Sequence, residues 1–194
     1  MKKANILDIL RSKSSVLTFK EILIASGEKE PNLLKRRLNY YIQKGELLSI
    51  RRGLYAKDKN YDRLELATKI YTPSYVSFET ILFEAGIIFQ HYAKIFVATY
   101  QTKEIECDNQ VYSFRKIKDV ILTNTAGIEN RGNYFAASKE RAFLDVLYLN
   151  KDYYFDNLSP LDVSKIKLLL PLYNNKRMVQ RVDSYFKDFK AERD

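Results

Sequence analysis

The chain has 194 residues, which is enough to bury the core of one domain or of two small ones. Its 33 lysines and arginines exceed its 24 aspartates and glutamates, and the excess is concentrated near the N-terminus: residues 1–58 hold 13 basic and 6 acidic side chains. No apolar run approaches the roughly 18–20 residues that a membrane-spanning helix requires, and a single cysteine excludes an internal disulfide.

The N-terminal segment does not have the pattern of a secretory signal, because Asp8 and Arg11 interrupt its apolar residues. A lone cysteine agrees with a reducing compartment, so we expect a cytoplasmic protein that does not act at a membrane. A basic first third is typical of proteins that bind nucleic acid.

Three short helices are predicted near the N-terminus, because apolar residues recur there at intervals of three and four. The second has a capping box, in which Thr18 precedes Glu21 by three residues, and Gly27 ends it. Pro31 suits the first turn of the third helix, and Gly45 follows its end. The predicted helices span residues 4–12, 18–26 and 31–44.

A two-stranded hairpin is predicted after these helices, over residues 47–56. Its two β-prone runs flank Arg51, Arg52 and Gly53, and glycine can adopt the positive φ that such a turn needs. Three helices followed by a hairpin is the order of a winged helix-turn-helix. Residues 1–58 are therefore predicted to form a DNA-binding domain of that type.

A mixed α/β domain is predicted over residues 59–194, which gives an α+β protein overall. Short β-branched and aromatic runs between residues 95 and 124 predict an antiparallel meander of about four strands, the last of which is VILTN at residues 120–124. Ser138 caps a helix that is too apolar for a surface element, and we expect it at the centre of this domain. Further helices are predicted over residues 61–71, 77–85, 161–173 and 176–190.

The third helix has a polar stripe opposite an apolar face. At about 100° per residue, Leu34, Leu38 and Tyr41 fall on the apolar side. The polar side chains have the donor and acceptor groups that match base edges in the major groove. We predict that double-stranded DNA is read by Asn32, Arg36, Asn39 and Gln43.

Cations flank this stripe and occupy the tip of the hairpin, where they would contact phosphates or the adjacent minor groove. These residues are Lys35, Arg37, Lys44, Arg51 and Arg52. A helix with four cations and no acidic residue is unusual for a purely solvated surface, although such a surface remains an alternative. A basic helix could also dock an acidic protein, so a protein-interaction module is a second alternative.

The sequence offers little material for catalysis, and we expect neither a cofactor nor a metal. His91 is the only histidine, and we expect it to belong to no zinc cluster, serine–histidine–aspartate triad or cysteine–histidine pair. Cys107 fits packing better than nucleophilic attack. No glycine-rich phosphate loop is present. A metal-dependent nuclease is the enzymatic alternative, since Glu104 and Glu106 share a strand face and Asp188-Phe189-Lys190 is an acidic-x-lysine element. Charge alternation on an exposed strand explains the two glutamates equally well.

Three segments of the chain form a recognisable set: RRGLYA at residues 51–56, PSYVS at residues 73–77, and SKERAFLDVLY at residues 138–148. Together they resemble the AbiEi-type antitoxins. In that family, a Pro-Ser-Tyr-Val-Ser-like segment and a Ser-x-Glu-Arg-Ala-x-x-Asp helix belong to the second domain. The resemblance covers roughly residues 5–180.

This resemblance implies a transcriptional autorepressor that is also the antitoxin of a type IV toxin–antitoxin pair, often in phage defence. It would bind its own promoter, with a homodimer as one arrangement on the DNA, and would oppose an AbiEii-like nucleotidyltransferase toxin without a stable complex. The resemblance assigns antitoxin activity to no particular residue. Glu140 is expected to act on the helix dipole, and Arg141 and Asp145 to form a local pair of small stabilising effect.

Overall fold

The computed structural model describes the backbone of residues 12–191 and the side chains of residues 12–187. The predicted helix over residues 4–12 and the side chains of Asp188-Phe189-Lys190 therefore lie outside the described residues, apart from residue 12. The described part is a mixed α+β structure with eight helices, a three-stranded antiparallel sheet and a six-stranded mixed sheet. None of these helices is long and apolar enough to cross a membrane.

The elements are numbered in chain order. The helices are α1 Phe19–Ser26, α2 Pro31–Gln43, α3 Arg63–Ile70, α4 Glu79–Glu84, α5 Asp119–Leu122, α6 Lys139–Leu149, α7 Val163–Leu169 and α8 Lys176–Ala191, with a 3₁₀ turn over Leu170–Tyr173. The strands are β1 Val16–Thr18, β2 Leu48–Arg51, β3 Leu54–Ala56, β4 Ser74–Val76, β5 Lys94–Thr99, β6 Lys103–Cys107, β7 Gln110–Lys116, β8 Ile128–Asn130 and β9 Phe135–Ala137.

The capping signals near the N-terminus form as predicted. The Thr18 hydroxyl accepts a hydrogen bond from the Glu21 N–H at 3.1 Å, and the Glu21 carboxylate accepts one from the Thr18 N–H at 2.7 Å. Gly27 takes the left-handed conformation that ends α1, with φ 62°. The structure confirms, to within two residues, the helices predicted over 18–26 and 31–44 and the hairpin predicted over 47–56.

The three-stranded sheet is ordered β1-β3-β2, and apolar cores lie on both of its faces. Because side chains alternate along a strand, Leu17 of β1 and Tyr55 of β3 pack with apolar residues of α1 and α2. The neighbouring residues Val16, Leu54 and Ala56 join a second core with apolar residues of the six-stranded sheet. The small sheet therefore connects α1 and α2 to the rest of the protein.

The six-stranded sheet is ordered β6-β7-β5-β4-β9-β8, and it is mixed. The predicted antiparallel meander is wrong, because β5 and β7 are adjacent and parallel and β6 pairs on the far side of β7. Strands β4, β8 and β9 were not predicted, and β4 pairs with β9 in parallel through Val76 and Ala136.

The run over residues 120–124 was predicted as a strand, but its first part belongs to helix α5. The main core is the apolar cluster formed by residues of α4 to α8 and of strands β4, β5 and β9. In helix α5, Ile121 and Leu122 are buried in the main core, while Val120 is 68% exposed. Burial of these two neighbouring residues outweighs the β propensity of the run.

Helix α6 lies in the main core, as predicted. The Ser138 hydroxyl caps it by accepting a hydrogen bond from the Arg141 N–H at 3.2 Å. Every residue from Glu140 to Leu147 is buried, and apolar residues of α4, α5, α7 and α8 belong to the same core. A helix that is buried on all sides is expected to be apolar around most of its circumference.

A buried carboxylate joins the residues before β1 to helix α3. Glu65 accepts hydrogen bonds from the Ser15 N–H at 2.8 Å, from the Ser15 hydroxyl at 2.6 Å and from the Ser14 hydroxyl, and Lys69 Nζ lies 3.1 Å from it. Burial alone would raise the pKa of Glu65, but the serine hydrogen bonds and Lys69 lower this pKa below its ordinary value. The folded state therefore favours the ionised carboxylate.

We expect Glu65→Gln to be less stable than the wild type at neutral pH, and the difference to shrink in acid. The contribution of the carboxylate is complete above its unfolded pKa of about 4.3 and is lost as the pH falls through the lower folded pKa. Urea unfolding from about pH 7 to pH 3 measures the difference in free energy. Glu46→Gln, at an exposed position, is the matched control. A Glu65→Gln deficit that stays constant over this range would contradict the assignment.

Candidate nucleic-acid interface

Helix α2 has one buried face and one exposed face. Leu34 and Leu38 are 1% and 0% exposed and pack against Ile22 of α1. The polar side chains predicted to read bases are all exposed: Asn32, Arg36, Asn39 and Gln43. Their amide and guanidinium groups are therefore accessible to a ligand.

The cations beside this stripe differ in how much free charge they offer. Arg37 lies 3.3 Å from the carboxylate of Glu28, whose side chain is only 7% exposed. Lys44 is exposed, and its Nζ lies 5.7 Å from the centroid of the Tyr40 ring. The sequence of α2 gave no sign of this pair, because Glu28 lies before the helix and the helix itself contains no acidic residue. Arg37 therefore contributes less net positive charge to the surface than Lys44 does.

We call the β2–β3 hairpin the wing, and two arginines lie at its tip. Arg51 and Arg52 are both exposed, and Gly53 has φ 79° at the turn. The strand register shifts at Ile50, which forms a β-bulge just before the two arginines. The carbonyl of Ile50 accepts a weak hydrogen bond from the buried Cys107 thiol at 3.6 Å, and burial raises the pKa of that thiol. Cys107 therefore packs against the wing.

Phe19 joins the wing to α2. Its backbone N–H donates to the Gly53 carbonyl at 2.8 Å, and its ring centroid lies 5.9 Å from Lys35 Nζ of α2. The turn that carries Arg51 and Arg52 is therefore close to the first half of α2. Sequence reasoning missed this contact, because the only local signal is that Phe19 follows the capping threonine.

Together, α2 and the wing form a surface with cations around planar polar groups. We call it the basic face, and it comprises Asn32, Lys35, Arg36, Asn39, Gln43, Lys44, Arg51 and Arg52. Lysine and arginine can bind an anionic polymer, while asparagine, glutamine and arginine can form paired hydrogen bonds with base edges. The arrangement is suited to double-stranded nucleic acid.

A separate polar cluster lies in the main core. Asp145 is 0% exposed and accepts hydrogen bonds from the hydroxyls of Ser77 at 2.8 Å, Tyr75 at 3.0 Å and Tyr173 at 2.6 Å. Arg141 Nε donates to the same carboxylate at 3.4 Å. The i,i+4 pair predicted from the spacing is confirmed, and both groups are buried and also bound to other elements, which the spacing alone did not indicate.

The guanidinium of Arg141 completes this cluster. It donates to the carbonyls of Ile121 and Ala126, each at 2.7 Å, and to the Tyr75 hydroxyl at 3.2 Å. It also lies 5.6 Å from the ring centroids of Tyr75 and Tyr173. We call the set of Tyr75, Ser77, Arg141, Asp145 and Tyr173 the buried network.

The titratable groups of the buried network hold a fixed pattern of donors and acceptors. Burial raises the pKa of Tyr75 and of Tyr173 well above the ordinary value, and the Asp145 carboxylate raises both further, so the two hydroxyls remain donors. Burial also raises the pKa of Asp145, while Arg141 and the hydroxyl donors oppose that shift. Glu140 is buried as well, and its carboxylate accepts a hydrogen bond from the Asp162 N–H at 3.3 Å. The buried network therefore stabilises the fold and offers no open site.

The two glutamates considered for catalysis are both exposed on strand β6. Glu104 pairs with Lys94 at 2.6 Å, and Glu106 follows it on the same strand. His91 packs edge-on against Phe83, with 5.1 Å between ring centroids. Among residues 12–187, the structure groups no three histidine, cysteine, aspartate or glutamate side chains as a metal site.

No protein-family model matches the chain, and comparison with curated proteins finds no matching relative. The resemblance to the AbiEi-type antitoxins therefore rests on the motif residues. Four of those residues, Tyr75, Ser77, Arg141 and Asp145, meet in the buried network, although sixty residues separate the two segments in sequence.

We expect Asp145→Asn to destabilise the protein by about 3–5 kcal/mol, because it leaves the buried Arg141 guanidinium without its counter-charge. Thermal or urea unfolding measures the loss. Asp152→Asn is the matched control, since it makes the same change at an exposed position. If both variants unfolded at the same denaturant concentration, the charge of Asp145 would not stabilise the folded protein.

Proposed function

We propose that this chain is a DNA-binding transcriptional repressor, and that residues 1–58 form a winged helix-turn-helix in which α2 is the recognition helix. The observation that carries the proposal is the junction at Phe19, which contacts both the wing turn and Lys35 of α2. This junction places the turn of the hairpin near Lys35, one of the cations of the helix. A basic helix alone would also suit a solvated surface, but a basic helix beside an arginine-tipped hairpin favours DNA.

In the proposed complex, α2 enters the major groove with its exposed face toward the bases. Arg36 is suited to guanine, and Asn39 to adenine, because each can form two hydrogen bonds with the major-groove edge of that base. Lys35 and Lys44 contact phosphates and fix the register of the helix on the duplex. Arg51 and Arg52 contact the adjacent backbone or minor groove. Arg37 contributes less to the affinity for DNA, because Glu28 already pairs with it.

We further propose that the repressor acts on the promoter of its own operon and is the antitoxin of a type IV toxin–antitoxin pair. The support is the resemblance of residues 51–56, 73–77 and 138–148 to the AbiEi-type antitoxins. The antagonist would be a nucleotidyltransferase toxin, with no stable complex between the two proteins. A short recognition helix covers few base pairs, so two copies on one operator are the expected arrangement.

A gel-shift assay with a duplex that carries the promoter of the chain's own gene tests DNA binding directly. We expect a specific complex that resists competitor DNA and weakens steeply as salt is added. Binding to the promoter duplex that is no tighter than binding to a scrambled duplex would contradict sequence-specific repression. A toxicity assay that co-expresses this chain with a nucleotidyltransferase encoded in the same operon, if the operon encodes one, tests the antitoxin part separately.

Replacing both Arg36 and Asn39 with alanine should relax sequence discrimination. Each lost base contact is expected to cost about 1–3 kcal/mol of preference for the promoter over a scrambled duplex. Fluorescence anisotropy with the two duplexes measures that preference. Lys167→Ala, at an exposed position in α7, is the control. A double variant that keeps the full preference would show that α2 is not the recognition helix.

Replacing both Arg51 and Arg52 with alanine should instead weaken binding to both duplexes by the same factor. The wing is proposed to contact backbone, so each arginine lost should lower the slope of log affinity against log salt by about 1. A salt titration of each duplex measures the slope. Loss of affinity for the promoter duplex alone would mean that the wing reads sequence.

A further inference from the structure

We infer that Lys69, which lies in α3 outside the predicted DNA-binding domain, is a positioning residue that sets the wing relative to α2. This inference rests on the proposed function. Lys69 Nζ donates to the Val16 carbonyl at 2.6 Å and to the Ser14 hydroxyl at 2.9 Å. It also forms ion pairs with Glu65 at 3.1 Å and with Glu21 at 3.2 Å. One ammonium group therefore contacts two separate parts of the N-terminal structure.

The contact with Val16 leads to the wing. Val16 lies in β1 and is paired with Ala56 of β3, the second strand of the hairpin. The β1 strand runs directly into α1, where the Phe19 N–H holds the wing turn through the Gly53 carbonyl. A shift of β1 relative to α3 would therefore move the hairpin that carries Arg51 and Arg52.

The contact with Glu21 leads to the recognition helix. Glu21 closes the capping box of α1, and Ile22 follows it on the buried side of that helix. Ile22 packs with Leu34 and Leu38, the buried face of α2. Lys69 therefore contacts both β1, whose partner strand belongs to the wing, and α1, which packs against α2.

The surroundings of Lys69 indicate a fixed contact. Its side chain is 14% exposed, and the Glu65 carboxylate beside it is 0% exposed and held by both Ser14 and Ser15. Once α2 has bound DNA, binding of the wing to the same DNA is intramolecular. This second contact adds affinity only when the wing is held at the correct distance from α2. Loss of Lys69 should therefore lower the benefit that the wing arginines give to DNA binding.

A double-mutant cycle between Lys69→Met and Arg52→Ala tests the inference on the full chain. Affinity for the promoter duplex is measured by fluorescence anisotropy, at a temperature where circular dichroism shows every variant to be folded. In the wild-type background, Arg52→Ala should weaken binding several-fold. In the Lys69→Met background, the further loss should be much smaller, because the wing no longer reaches its contact. Lys69→Arg, which keeps the charge and can still reach the acidic partners, should restore the full effect of Arg52→Ala.

A purely structural role for Lys69 would lower the melting temperature but leave the two losses of affinity additive, and additive losses would overturn the inference. Glu21→Gln provides a second cycle if Lys69→Met does not fold, because Glu21 is 48% exposed and its change should be tolerated. The same smaller effect of Arg52→Ala is expected in that background, and additivity there also overturns the inference. If the wild type does not bind the promoter duplex, the proposed function fails and the inference fails with it. If the wild type binds and the cycle is additive, only the inference fails.

Discussion

The burial of the three-stranded sheet on both faces is the constraint on which the rest of the structure depends. Alternate residues of β1 and β3 enter two different cores, so the sheet cannot move relative to α2 or to the six-stranded sheet without disturbing one of them. The wing is part of this sheet. Its arginines are consequently held at a defined distance from α2 by packing that reaches well beyond residue 58. The bulge at Ile50 and its contact with Cys107 extend the same anchoring to the strand that carries Arg51.

The buried network also connects separate elements of the fold, in this case within the main core. Arg141 and Asp145 of α6 bind strand β4 through Tyr75, the loop after α5 through the Ala126 carbonyl, and the 3₁₀ turn through Tyr173. A charged pair that is removed from water is costly unless every polar group finds a partner, and here each hydroxyl donates to the carboxylate. The motif residues that resemble the AbiEi-type antitoxins therefore explain how this part of the chain folds. The basic face, which carries the proposed function, lies on a different set of residues.

Local signals predicted the parts of the fold that depend on near neighbours in sequence. Thr18 with Glu21, and Ser138 before α6, cap helices through contacts three residues away, so both were visible in the sequence. The parallel pairing of β4 with β9 joins residues sixty positions apart, and no periodicity carries that information. The i,i+4 spacing of Arg141 and Asp145 is the same for a surface pair and a buried pair. Only the apolar residues between and around them indicated burial.

For the basic face, the amphipathic pattern correctly predicted which side of α2 is exposed. The pairing of Arg37 with Glu28 and the junction at Phe19 were not predicted, because they depend on how the chain turns between elements.

Site-specific photo-crosslinking is the most direct test of whether α2 and the wing bind DNA, since it reports which side chains touch DNA. A photoreactive amino acid is placed at Asn39 on α2, at Arg52 on the wing and, as a control, at Leu168, which is 80% exposed on α7. Each variant is irradiated with the promoter duplex, and the crosslinked nucleotides are mapped. If α2 and the wing bind DNA, position 39 should crosslink to bases in a major groove, position 52 to an adjacent backbone or minor groove, and position 168 to neither. Crosslinks from position 168 with none from positions 39 and 52 would contradict it.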